Sequence, residues 1–270
     1  MKIAFVILVI IVIAIFTWKA IQYNRFKKEV SKLFSQSEDI SNKTFNSEEL
    51  EELPEPVQRY FRHVLKNGQP YISYVRLQHD GQFKTDPAKD WITIKGEQYF
   101  TTENPGFIWL GRTSMFTAKD AYIAGKGQLT VSLLSLVDIV KSRGKKIDQG
   151  ELLRWLGESV WFPTNLLPNK NLQWSPIDSS NAKLTFKYND LEVYYIVSFN
   201  DKNEIVQLKT ERYMNEKLET WIGKLKNYKE INGIIIPTSI EAIWKLETKD
   251  YSYARFNIKE IEYEKPARLQ

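Results

Sequence analysis

The chain of 270 residues is 43% hydrophobic, 13% aromatic and 26% charged, the balance of a globular protein with room for one large core or two smaller ones. It has no cysteine, which excludes disulfides, thiolate nucleophiles, Cys-ligated zinc or iron-sulfur centres and an acylated N-terminal cysteine. The net charge of +5 is confined to the first 34 residues, where Lys2, Lys19, Arg25, Lys27, Lys28 and Lys32 face Glu29 alone; the neutral remainder removes the electrostatic case for nucleic-acid binding.

Residues 3–18, IAFVILVIIVIAIFTW, carry no charge, and Ala20 and Ile21 extend the run past Lys19. About 20 helical residues cross a ~30 Å hydrocarbon layer, and Trp18 and Lys19 suit its interfacial end. Residues 1–21 are therefore expected to be a transmembrane anchor, retained because no small-residue cleavage site follows. Lys2 ahead of the run favours an extracytoplasmic domain, whereas the basic residues after it favour the opposite side. Residues 22–50 read as a juxtamembrane stalk and linker. The helix continues amphipathically through Phe26, Val30, Leu33 and Phe34 near the headgroups, and SQSEDISNKTFNSEEL follows as a polar connection.

The domain proper is expected over 51–270. LPEPVQRYFRHVLKNG opens it with Val57, Tyr60, Phe61, Val64 and Leu65 at helical spacing, prolines at its start and Gly68 past its end. Strand signals then dominate: aromatic and β-branched runs such as ISYVRLQHDGQF, WITIKGEQYF, LEVYYIVSF and SYARFNIKEIEY are separated by short turns. About ten or eleven antiparallel strands with two or three helices are expected, without the strand-helix alternation of a parallel sheet. So wide a sheet must curl, giving a mainly β (α+β) fold with a large curved antiparallel sheet or half-barrel clasping the helix in DQGELLRWLGESVWFP.

That helix carries the most suggestive chemistry. Asp148 and Glu151 form a D-x-x-E capping box that starts it near Gln149, and Pro163 ends it near Trp161. Glu151, Arg154 and Glu158 fall within about 60° of one another around the helix, opposite Leu152, Leu153, Trp155 and Leu156. They are either i+3 and i+4 pairs on an exposed face, or a buried network that positions the helix if Arg76, Arg112 or Arg212 meets them, or a catalytic pair. Seven residues place the two carboxylates ~10 Å apart along the axis, beyond the ~6.5–9.5 Å of inverting glycosidases. Arg154 between them also lowers both pKa values, the wrong direction for an acid.

Among other candidates, His79 shares strand register with Val75, Leu77 and Phe83 and reads as a histidine at the core edge. Ser142-Arg143-Gly144-Lys145 lacks the companion motifs of S-x-x-K enzymes, and AGKGQL lacks a phosphate loop's first glycine and its Ser or Thr. No metal-ligand spacing occurs, and no cofactor is expected. The tryptophans want an apolar bed and a partner for each N–H. If several line a concavity, a lipid tail or other amphiphile is the natural guest.

LPEPVQRYFRHVL, VRLQHDGQF, PGFIWLGR, DAYIAGKG and GELLRWLGESVWFPTNLL together resemble the signature of a bacterial family of unknown function whose members often carry an N-terminal hydrophobic segment. By fold analogy the chain is also similar to lipoprotein-carrier half-barrels of the LolA and LppX type, which implies acyl-chain binding in a curved sheet. The expected function is a membrane-anchored, non-catalytic half-barrel that binds a lipid or other hydrophobic ligand at the membrane surface. Its expected ligand-binding residues are Arg76, His79, Trp109, Arg112, Tyr122, Glu151, Arg154, Trp155, Glu158 and Trp161. The alternatives are a hydrolase using His79 with Glu158 or Asp120, and a protein-interaction module.

Overall fold

The structure, a computed structural model, describes residues 2–269; the side chains of Ile3, Ala4, Leu8, Ile11, Val12 and Ile15 lie outside the described residues, and with them part of the expected anchor. Helix α1 (Lys2–Ser35) runs unbroken for 34 residues, because no proline or glycine interrupts it, and so joins the segments expected as anchor and stalk into one helix. Among the described residues, no helix is long and apolar enough to cross a membrane. The second half of α1 docks on the sheet. Phe26, Val30, Leu33 and Phe34, the apolar face of the expected amphipathic stalk, are buried against Tyr74, Tyr99, Ile108 and Ala121. The stretch after it, expected as a polar linker, is tied down as well. Phe45 and Leu50 enter the main core, Thr44 bridges Pro70, and Asn46 and Glu49 form a capping box over the turn Ser47–Leu50.

Helix α2 (Glu55–Val64) is the one the prolines and apolar spacing specify, with Val57, Tyr60, Phe61 and Val64 buried. Thirteen strands follow. β1 (Tyr74–Phe83), β2 (Ile92–Thr101), β3 (Gly106–Arg112), β4 (Phe116–Ile123), β5 (Lys126–Leu133) and β6 (Val137–Ser142) form one antiparallel meander. After helix α3 (Lys145–Glu158), a second meander is built from β7 (Leu172–Pro176), β8 (Asn181–Tyr188), β9 (Leu191–Phe199), β10 (Ile205–Met214), β11 (Lys217–Ile231), β12 (Ile234–Lys245) and β13 (Asp250–Tyr263). Pairing of β1 with β13 fuses the two into a single sheet with edges β6 and β7. Asn189, Asn215 and Asn232 turn three hairpins of the second meander with positive φ, the conformation asparagine tolerates best after glycine.

The curvature follows from where α3 lies. The chain leaves one edge of the sheet at β6, passes through α3 and re-enters at the opposite edge, β7. On the way α3 packs against β4 and β5 from one half and β9 and β10 from the other, so the sheet wraps round it as the half-barrel reading requires. Contact is closest at Gly127, where an added Cβ would stand 2.6 Å from the Ile147 carbonyl oxygen of α3. Gly127→Val therefore has only backbone to push against. It is expected to cost about 1–3 kcal/mol in denaturant unfolding; an unchanged midpoint would show that the helix is not held that tightly.

Candidate functional site

The face of the sheet that carries α3 was expected to offer an aromatic-lined hollow, and it is filled. Trp155, Trp161, Tyr122 and Trp109 are 1%, 2%, 0% and 4% exposed and belong to one core. Trp155 donates to the Thr101 carbonyl at 2.8 Å, Trp109 donates to His79 Nε2 at 2.7 Å, and the hydroxyl of Tyr195 reaches the Leu153 carbonyl at 2.9 Å. None of these four aromatic residues borders the open grooves described below.

Within that core the charged stripe of α3 is buried. Arg154 bonds Asp120 of β4 at 2.5 Å and Glu158 at 3.0 Å, and Gln98 of β2 donates to the other Glu158 oxygen at 2.6 Å. The Arg154 guanidinium also lies over the rings of Trp109 and Phe107, 4.7 and 5.2 Å from their centroids. Arg212 of β10 packs against Gly150, close enough that a Cβ there would be 3.1 Å from its Nε. The stripe thus meets Asp120, Gln98 and Arg212 instead of water, which replaces the exposed-face reading with a network that fixes the helix. Two arginines face three carboxyls. Burial, and then the charge of Asp120, push Glu151 up to about 8, so Glu151 holds a proton at neutral pH and the cluster balances.

The capping box expected at Asp148 and Glu151 does not form. Asp148 instead accepts the Gly127 amide at 2.7 Å and pairs with Lys126, and α3 starts four residues before Gln149, at Lys145. The hydrolase alternative loses its base for a plain reason. His79 spends its Nε2 lone pair on Trp109, and burial, followed by the charge of Arg154, pushes its pKa down to about 3. Gly96 makes that placement possible, since a Cβ there would fall 2.1 Å from Nε2. Among the described residues no hydrogen bond joins His79 to Asp120 or Glu158, and no set of three His, Asp or Glu side chains is arranged to hold a metal ion.

The open space lies on the other face, between α1 and strands β3–β6. A groove of about 1100 Å³ runs there, and its walls divide by chemistry. Trp18, Tyr23, Phe26, Leu110, Leu134 and Leu136 supply apolar surface. Lys19, Arg25, Arg112, Lys119, Lys141, Arg143 and Arg268 supply positive charge against Glu29 and Asp138. The last arginine comes from the far end of the chain. Arg76, paired with Glu262 at 2.7 Å, also donates to the Ala267 carbonyl at 3.1 Å, which straps the C-terminal segment across the outer face.

Arg268 then bonds Glu97 at 2.9 Å while its guanidinium covers Tyr23 at 4.2 Å and Phe26 at 4.8 Å. Arg112 bonds the same Glu97 at 2.6 Å and Tyr99 donates to it at 2.5 Å. Burial would raise the pKa of Glu97, but Arg268, Tyr99 and Arg112 together outweigh it and hold the carboxyl below its usual range. One carboxylate against two arginines leaves a net positive post. That post stands between the groove and a second cleft of about 1160 Å³, which shares Tyr23, Arg112 and Arg268 and reaches His79.

Of the expected site residues, then, Trp109, Tyr122, Glu151, Arg154, Trp155, Glu158 and Trp161 lie in the packed interior. His79 is buried at the floor of the second cleft, Arg112 lines both grooves, and Arg76 holds the strap that delivers Arg268. Sequence reasoning missed Lys119, Lys141, Arg143 and Arg268. Only the alternation of Lys119 with Asp120 and Ala121, which sends it to the face opposite Asp120, pointed to one of them.

The profile of a family described as a family of unknown function, DUF6544, matches residues 43–256, a span that contains the five motifs quoted above. No curated protein matches the chain. Among solved structures, a LolA superfamily protein from Nitrosomonas europaea is similar at 12% identity and a TM-score of 0.44, over 80% of this chain and 93% of that one. A domain described as an outer membrane lipoprotein-sorting protein, from Vibrio parahaemolyticus, is similar at 9% identity and a TM-score of 0.42, over 81% of this chain and 94% of that one.

Proposed function

The chain belongs to DUF6544, a family whose description names no activity, and from the geometry of its outer face we propose that it binds an anionic amphiphile at a membrane surface, without catalysis. In this reading the N-terminal part of α1 holds the protein to the membrane as a single pass. From Ile3 to Ile21 it measures about 28 Å at 1.5 Å per residue, against ~30 Å of hydrocarbon. The domain sits on the extracytoplasmic side, in keeping with Lys2 ahead of the run. The groove beside α1 takes the ligand, its acyl part along Trp18, Leu134 and Leu136 and its anionic head among Arg112, Lys141 and Arg143.

One observation carries the reading: the groove is apolar and cationic at once, and it is walled by the same helix whose exposed N-terminal half is apolar. Anionic headgroups are drawn to such basic clusters by ~1 kcal/mol per charge near the surface, and arginine adds geometrically matched bonds to phosphate oxygens. The test is native mass spectrometry of the full chain released from neutral detergent with equal phosphatidylglycerol and phosphatidylcholine added. Preferential retention of phosphatidylglycerol is expected. Retention of neither lipid, or of both equally, overturns the proposal.

A further inference from the structure

Nearly all the exposed large hydrophobic residues described fall in two segments, with only Ile177 and Leu218 elsewhere. One segment is the first part of α1. The other is the tip of the β5–β6 hairpin, where Leu134, Leu136, Val137 and Ile139 are 61%, 50%, 62% and 57% exposed, together with Met115 of the β3–β4 turn at 64%. The two segments are tied at one level. Trp18 donates its indole N–H to the Ser135 carbonyl at 3.0 Å, and the Leu134 amide donates to the Met115 carbonyl at 2.8 Å. Trp18 marks the point where the apolar run of α1 gives way to basic residues, so hairpin tip, turn and helix meet where a bilayer interface would lie.

The turn itself is the second observation. Leu134 and Ser135 take φ values of 49° and 59° and the Leu136 amide closes onto the Leu133 carbonyl at 2.9 Å, a tight turn with both central residues left-handed, before the strands pair at Leu133 and Val137. Asparagine fills such positions at residues 189, 215 and 232 of this chain. At 134 a branched, exposed leucine takes the place of a residue that folding alone would favour, on an edge strand whose apolar residues are open to solvent on both faces. Lys19, next to Trp18 on α1, stands at this level and suits anionic headgroups.

We propose that the β5–β6 hairpin tip is a membrane-insertion loop that enters the headgroup-acyl boundary beside α1, carrying Leu134, Val137 and Ile139 into the bilayer. The inference rests on the reading of α1 as the membrane-bound element, and the experiment separates the two. The absence of cysteine makes single-cysteine labelling clean. The full-length variants Leu134→Cys, Ile13→Cys and Ile177→Cys, each carrying an environment-sensitive fluorophore, are placed in phosphatidylglycerol-phosphatidylcholine vesicles containing spin-labelled acyl chains.

Strong quenching at position 134 with little at 177 is expected, and Val137→Asp with Ile139→Asp, which lie off the groove, should reduce the quenching at 134 at least twofold. Quenching at 13 without quenching at 134 overturns the hairpin inference and leaves the anchor standing. Quenching at neither overturns both, and quenching at 134 alone supports the hairpin and removes the anchor. Leu134→Asn provides a check of opposite sign: it should raise Tm by relieving the turn while lowering the acyl-chain quenching of a fluorophore carried at Val137→Cys, and a gain in both would contradict the role given to Leu134.

Discussion

Replacing Arg154 with methionine is expected to lower stability by about 3–5 kcal/mol, because it leaves the buried carboxylates of Asp120 and Glu158 without the cation that both contact. The size of the loss comes from burial. Their side chains are 16% and 10% exposed, so water cannot take over the role of the guanidinium. Denaturant unfolding of the full chain in neutral detergent measures it, and a loss below about 1 kcal/mol, the range of surface pairs, would mean that the network is solvated.

Glu151→Gln should behave differently. The native Glu151 keeps its proton up to about pH 8, whereas in the unfolded chain it ionises near ~4.3. Between those values the folded state binds one proton more than the unfolded state, so stability falls as pH rises through that window. Glutamine has nothing to ionise. The variant should therefore be close to wild type near pH 5 and gain on it steadily toward pH 8; a difference that does not change with pH would place Glu151 outside the balanced cluster.

The second large effect concerns binding. Arg112→Gln combined with Arg143→Gln should abolish the preference for an anionic lipid, weakening its retention by about tenfold or more per arginine, since a hydrogen bond to a charged group contributes ~1.5–3 kcal/mol. Both side chains are exposed and neither lies in the main core, so the unfolding midpoint should stay within the range of ordinary surface substitutions. Arg154→Met or Gly127→Val would lower both stability and binding; loss of anionic selectivity with the fold intact is what a direct headgroup contact requires. Undiminished selectivity would move the site away from this groove.

The curled antiparallel sheet and the helix it clasps were legible because aromatic and β-branched runs alternate with turn residues such as Asn189-Asp190 and Asn232-Gly233, and because α2 announces itself with prolines and a clean apolar face. Less legible were features decided by distant partners. β6 escaped notice because its turn uses Leu134 and Ser135 where asparagine or glycine would have signalled a hairpin. The start of α3 was misplaced because the Gly127 amide, a residue on the sheet, takes the carboxylate that would otherwise cap the helix. The stretch 35–50 passed for a linker because two buried residues, Phe45 and Leu50, decide its fate against a polar average.

The site had the same difficulty in stronger form. Glu151, Arg154 and Glu158 share a helix face, which spacing shows, but whether that face meets water depends on Asp120 and Arg212, whose strands approach α3 from opposite halves of the sheet. The groove draws Tyr23 from α1, Arg112 and Arg143 from the first meander and Arg268 from the C-terminal strap. Nothing local in the sequence relates residues so far apart; the basic excess at the N-terminus was visible, but its continuation across the sheet was not.

A crystal structure of the full chain with phosphatidylglycerol brominated on its acyl chains tests the central claim most directly, since bromine is located by its anomalous signal regardless of how well the rest of the lipid is ordered. Bromine beside Trp18, Leu134 and Leu136, with the headgroup bonded to Arg112 or Arg143, is the expected result. Bromine in the interior beside Trp155 and Trp161, or none along α1, would contradict it.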